Sequence, residues 1–125
     1  MDSVLSSLTY SHQSIKATRE GLIGKLTASG YVIDRVVPFV ALPAEDALHR
    51  RVLIRNCQNG KTSLAIVLDV GPHHTTDEAY VFQCARPRAE SEPYTNGAGI
   101  DLSERVHQEL GLVEDNGLVD WEFVL

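Results

Sequence analysis

The sequence predicts a single all-β domain built as a small closed barrel, on three observations. From Ile15 onward the chain breaks into short apolar runs separated by glycine, proline and one Asn-Gly pair, the pattern of a sheet protein with many turns. Leu64 to Leu68 is a β-rich run without polar alternation, which predicts a strand covered on both faces, as in a closed barrel. At 125 residues the chain can bury one core but is too short for two ordinary domains.

Residues 1–14 mix Ser, Thr, His and Gln with a few Leu and keep no period, so they read as an arm, with the domain spanning 15–125. Gly21, Gly24 and Gly30 close the first turns. Val36 to Leu42 is an apolar run in which Pro38 lacks a ladder donor, the mark of an edge or a bulge. Arg51 to Cys57 and Thr62 to Val70 flank Gln58-Asn59-Gly60. Asn-Gly between two β-rich runs signals a hairpin, because both residues accept positive φ.

Residues 71–99 are polar and rich in Pro, Gly, Thr and Glu, and a segment that long in a compact domain is usually functional or mobile rather than merely connective. Ser103 is placed to cap one short helix, Glu104 to Leu110, with Glu104 at the positive end of its dipole and Gly111 as terminator. Val119, Trp121, Phe123 and Leu125 then alternate with Asp120 and Glu122, a half-buried strand with Trp121 facing the core.

Charge and composition remove several function classes. The net charge is -6 and, apart from Arg50-Arg51, the eleven Lys and Arg are scattered, so nucleic acid is not an expected partner. No run of about 18 apolar residues is present, so no membrane-spanning helix is expected. Met1 to Leu5 has neither the basic start nor the apolar core of a secretory signal. That fits a cell-envelope or secreted segment whose signal has been removed, or a cytoplasmic or phage-associated chain.

Cys57 and Cys84 have neither zinc-knuckle nor CxxC spacing and are either one bridge or two free thiols. His73-His74 precedes Thr75-Thr76-Asp77-Glu78, but adjacent histidines on an extended chain point to opposite sides, so a solvated loop is expected there rather than a metal site. No phosphate-cradling glycine loop is present, and no cofactor is expected.

Four segments, in order, resemble the pattern of rare-lipoprotein-A-like (RlpA-like) domains. They are Lys25-Leu26-Thr27-Ala28-Ser29-Gly30, the hairpin within 52–70, Asp69-Val70-Gly71-Pro72, and Gly99-Ile100-Asp101-Leu102-Ser103. The likeness covers roughly residues 15–125 and includes the Leu110-Gly111 helix end. It implies a six-stranded double-psi β-barrel, shared with expansins, barwin-like proteins and some lytic transglycosylases, with a groove that receives a polysaccharide such as peptidoglycan. By resemblance Asp69, at the D-x-G-P strand end, is the general acid/base, and Asp101 of I-D-L-S is a supporting carboxylate. The family's histidine, in an A-A-H segment before the hairpin, has no counterpart in Phe39-Val40-Ala41-Leu42-Pro43, and His49 is out of register.

A lytic transglycosylase needs only one well-placed carboxyl, because the sugar's own hydroxyl attacks the anomeric carbon. Burial at the end of the Leu64 to Leu68 run would raise Asp69 toward an acid that works near neutrality. The competing role for Asp69 is to accept backbone N–H groups in the turn, and for Asp101 to hold the turn before its helix cap. Ligand contacts are expected from Thr27 and Ser29 and, in the long polar segment, from Tyr80, Arg86, Arg88, Glu90 and Asn96. Arg86 and Arg88 have the fork geometry to clamp a muropeptide carboxylate, or else form surface pairs with acids such as Glu90. The other class of function open to this barrel is non-catalytic: glycan binding, or capture of a protein partner by the 73–98 loop, as in an inhibitor or a phage or secretion component.

Overall fold

The Asn59-Gly60 turn forms where the sequence predicts it. Gly60 takes a φ of 78°, its N–H donates to Asn56 O at 2.9 Å, and Asn59 Oδ1 accepts the Lys61 N–H. The turn joins β3 (Arg51–Asn56) to β4 (Thr62–Val70), which pair antiparallel from Arg51↔Ile66 to Arg55↔Thr62. The remaining strands are β1 (His12–Arg19), β2 (Phe39–Leu42), β5 (Ile100–Leu102) and β6 (Asn116–Val124). The computed structural model describes residues 10–125. Its six strands close into a barrel in the order β1-β5-β2-β4-β3-β6.

Two strand pairs, β1 with β5 and β2 with β4, run parallel, and the others run antiparallel. Parallel neighbours cannot be joined by a tight hairpin: β2 and β4 are linked through residues 43–61, which include β3, and β1 and β5 through residues 20–99, which include β2, β3 and β4.

Three expectations change. Strand β1 begins at His12, so the last residues assigned to the arm belong to the barrel; residues 1–9 of the arm lie outside the described residues. Strand β4 is not covered on both faces: Ser63, Ala65 and Val67 are buried while Leu64 is 50% exposed. Its outward positions simply carry apolar side chains, which hides the alternation in the sequence. Two short helices form rather than one: α1 (Glu78–Gln83) lies inside the long polar segment, and α2 (Glu104–Glu109) follows β5. At α2 the expected cap is present, with Ser103 Oγ accepting the Val106 N–H and Gly111 at a φ of 67°.

The core is organised around Trp121 on β6, which is fully buried as expected. Its Nε1 donates to the Tyr80 hydroxyl at 2.8 Å, and that hydroxyl donates to Gly99 O at 2.9 Å. His12 stacks on the indole at 3.7 Å, and its Nε2 lies 2.9 Å from Tyr80 O. Helix α1 is thereby fastened to the barrel through one tyrosine. Gly99 is required by space: a Cβ there would come within 2.9 Å of Ile15 and the Tyr80 hydroxyl and within 2.7 Å of Pro87.

Candidate functional site

Strand register brings the two aspartates together. On β2, Ala41 is paired with Asp69 of parallel β4 on one side and with Asp101 of antiparallel β5 on the other. Two strand spacings of about 4.8 Å put their Cα atoms about 10 Å apart at one level of the barrel. The position between them is held by a methyl group, so no imidazole of β2 stands there.

The two carboxyls are held differently. Asp69 Oδ1 accepts the N–H of Ala28 at 2.8 Å and of Val70 at 2.9 Å. The Thr27-Ala28-Ser29-Gly30 turn is thus tied to the end of β4, with Ser29 N–H donating to Leu68 O as a second tie. Asp101 lies beside Thr18 of β1, whose hydroxyl donates to its Oδ1. Burial raises the Asp101 carboxyl above the ordinary aspartate value. The Thr18 hydroxyl and His73 oppose the shift, and Asp69 adds to it.

A third carboxyl stands with them that the sequence reasoning missed. Glu20 follows the last residue of β1, and its N–H donates to Leu102 O at 2.8 Å, which places it next to Asp101 along the sheet. Burial first, then contact with Asp69 and the charges of Asp69 and Asp101, push its pKa from 4.5 to about 9. As an ionised group its Oε2 is buried with no hydrogen-bond partner. Protonated, the carboxyl becomes a donor to Asp69, which is the arrangement that satisfies it. Its only signal in the sequence is an acid before Gly21 at a strand end, which means nothing until β1 is known to run parallel to β5.

The expected ligand contacts divide into two groups. Ser29 is partly exposed at the turn beside Asp69, whereas Thr27 is buried, its Oγ1 accepting the Tyr31 N–H and lying 2.9 Å from Ser29 Oγ. Asn96 is exposed, and its Oδ1 is 2.7 Å from Nε2 of His73, one of the groups that act on Asp101.

Tyr80 is fully buried with its hydroxyl in two hydrogen bonds, so it presents no face to a sugar. Arg86 is also committed: it bonds Glu90 through two nitrogens and the carbonyls of Gln13 and Ser14. Ser14 is four residues from Thr18, about 13 Å along β1 at a rise near 3.3 Å, so this Arg86–Glu90 pair stands apart from the carboxyls. Arg88 is exposed, with its guanidinium 4.0 Å from Glu92 and its backbone N–H donating to Asp77 Oδ2.

Cys57 and Cys84 are free thiols. Among the described residues no cluster of His, Cys, Asp and Glu is arranged to hold a metal ion, and no helix is long and apolar enough to cross a membrane. A cavity of about 630 Å³ lies between the β3–β4 turn and the α2–β6 connection, lined by Cys57, Leu112 and Leu118 among others, and none of the three carboxyls lines it.

A family model described as a domain of unknown function, DUF8814, matches residues 10–94. The chain belongs to that family. The matched stretch of this DUF8814 domain holds Glu20 and Asp69 and ends before Asp101. No curated protein matches the sequence.

Among solved structures, a papain inhibitor from Streptomyces matches with a TM-score of 0.56 and 20% identity, over 90% of this chain and 93% of that one. A mutant Clavibacter michiganensis expansin in complex with cellohexaose matches with a TM-score of 0.56 and 14% identity, over 90% of this chain. The domain spans half of that expansin's length, 50%. At these identities the likeness shows the fold, which is the double-psi β-barrel that the resemblance implied.

Proposed function

We propose that this domain binds the glycan strands of a cell wall, peptidoglycan foremost, where Asp69, Asp101 and Glu20 converge, and cleaves them as an RlpA-like lytic transglycosylase does. The observation that carries the reading is the placement of Asp69 and Asp101 on either side of Ala41, one tied by backbone N–H groups and the other raised by burial. The expansin neighbour, recorded with cellohexaose, supports a polysaccharide as the ligand class.

The hydrogen bonding divides the roles more finely than the sequence did. Asp101, desolvated and raised, is suited to hand a proton to the glycosidic oxygen. Asp69, already accepting two N–H groups, is suited to accept the proton of the sugar hydroxyl that attacks the anomeric carbon. No water is consumed, and the product ends in an anhydro sugar. Ser29 and Asn96 flank the carboxyls as polar contacts for the strand.

The test is incubation with purified peptidoglycan, followed by mass analysis of soluble fragments and of protein retained on the pellet. Anhydro-ended fragments that vanish in Asp101→Asn and in Asp69→Asn support the reading. Protein that neither sediments with peptidoglycan or cellulose nor releases fragments overturns it.

A second reading, a protein-binding barrel of the inhibitor kind, is favoured by one observation. Leu22, Leu26 and Val36 on the segment between β1 and β2 are 60%, 69% and 66% exposed, an apolar surface that a protein partner would cover. Inhibition of a papain-type protease, lost in Leu26→Asp, would support this reading over the first.

A further inference from the structure

We infer that Glu20 is a positioning residue that keeps a proton at neutral pH, shares it with Asp69, and so clasps the 21–37 segment to the end of β4. Its catalytic meaning rests on the proposed function, since it is Asp69 that the clasp positions.

The charged groups acting on Glu20 are Asp69 from β4 and Asp101 from β5, both acids. His73 reaches the cluster at Asp101. The neighbouring cation, Arg19, turns to Glu104 at 3.6 Å and Asp115 at 2.8 Å, while Lys16 bonds Asn96 O. Three carboxyls sharing one low-dielectric corner without a paired guanidinium cannot all ionise, and the one with a buried, unpartnered oxygen is the one that keeps its proton.

The backbone shows what that proton would hold. Glu20 stands at the start of the 20–38 crossover, fastened by its N–H to Leu102 O, and Asp69 grips the same crossover at Ala28. Protonated, the Glu20 carboxyl donates to Asp69 and draws the two grips together. Ionised, it places a second negative charge against Asp69 and loosens the Ala28 tie. Ile33 anchors the far side of this segment in the core, whereas Leu22 and Leu26 are exposed, so the Ala28 end is held to β4 by the polar ties of Asp69 and by the Ser29 N–H to Leu68 O.

The test is carbon-detected NMR titration of the Glu20 side-chain carboxyl in the whole chain, with amide exchange at Ala28 followed in parallel. The expected result is a Glu20 carbon that stays at its protonated shift through pH 7 and moves near pH 9. Ala28 exchange should accelerate at least tenfold, relative to barrel amides, in Glu20→Ala, and be restored in Glu20→Gln, whose amide still donates. A Glu20 carbon that titrates near pH 4.5, or Ala28 exchange unchanged in Glu20→Ala, overturns the inference. Neither measurement uses a glycan. A protonated Glu20 in a chain that binds no wall material would therefore keep the clasp and remove only the proposed function. Should Glu20→Ala fail to fold, the wild-type titration alone decides.

Discussion

Replacing Glu20 by Gln should change how stability depends on pH. In the folded chain Glu20 holds its proton up to about 9, against 4.5 for the free group. Between those values the folded state binds more protons than the unfolded state, so stability falls as pH rises. The contribution is fully present below pH 4.5 and lost as pH passes through about 9. At about 1.4 kcal/mol per unit the full shift would be worth about 6 kcal/mol. The group is only partly buried, and solvent screening reduces that to on the order of 1–3 kcal/mol. Glutamine cannot ionise, so the variant lacks this slope. Asp101 contributes a slope of the same sign in both proteins. Cys57, pushed to about 11, and Tyr31, pushed to about 12, titrate above the window. The assay is thermal unfolding of both proteins from pH 5 to pH 9.5. The variant should gain roughly 4–12 °C on the wild type across that range. Parallel curves would refute the reasoning and return Glu20 to an ordinary surface acid.

Three further outcomes follow from the same geometry. Tyr80→Phe removes a hydroxyl that serves both Trp121 Nε1 and Gly99 O, and should cost about 1–3 kcal/mol in denaturant unfolding without weakening retention on peptidoglycan. Gly99→Ala forces a methyl into Pro87, Ile15 and Tyr80, and should cost about 1–3 kcal/mol by the same measurement. Arg86→Ala breaks ties to Glu90, Gln13 and Ser14 and should loosen the start of β1 in amide exchange, while muropeptide retention stays at the wild-type level, because the guanidinium is committed within the chain.

What the sequence disclosed was set by how local each signal is. The Asn59-Gly60 turn, the Ser103 cap and the Trp121 alternation each depend on a few adjacent residues, and each forms as read. Strand β1 was hidden because Ser14 takes a φ of 54° and the register with β6 shifts between His12 and Ile15, which breaks the alternation where it should begin. Helix α1 was hidden because it is only six residues long and is held by Tyr80 and Trp121 rather than by its own propensity. Arg86 and Glu90 were legible as a pair but not as a choice. Two residues four apart offer a clamp for a ligand and a pair for each other, and the backbone carbonyls of β1, remote in sequence, decide for the pair.

The candidate site follows the same rule at longer range. Asp69 and Asp101 could be marked from the motifs around them, yet their closeness is a property of Ala41, which carries no functional group and is in register with both. Glu20 belongs to no such motif. Its meaning comes from the parallel pairing of β1 with β5, which sets it beside Leu102, and from the crossover that returns Ala28 to Asp69. Because two parallel pairings and one antiparallel pairing together place acids from three strands at one corner, the pKa shift of Glu20 is a consequence of topology. A variant that keeps the three carboxyls but disturbs β2, such as a bulky residue at Ala41, should therefore scatter the cluster as effectively as removing one of its members.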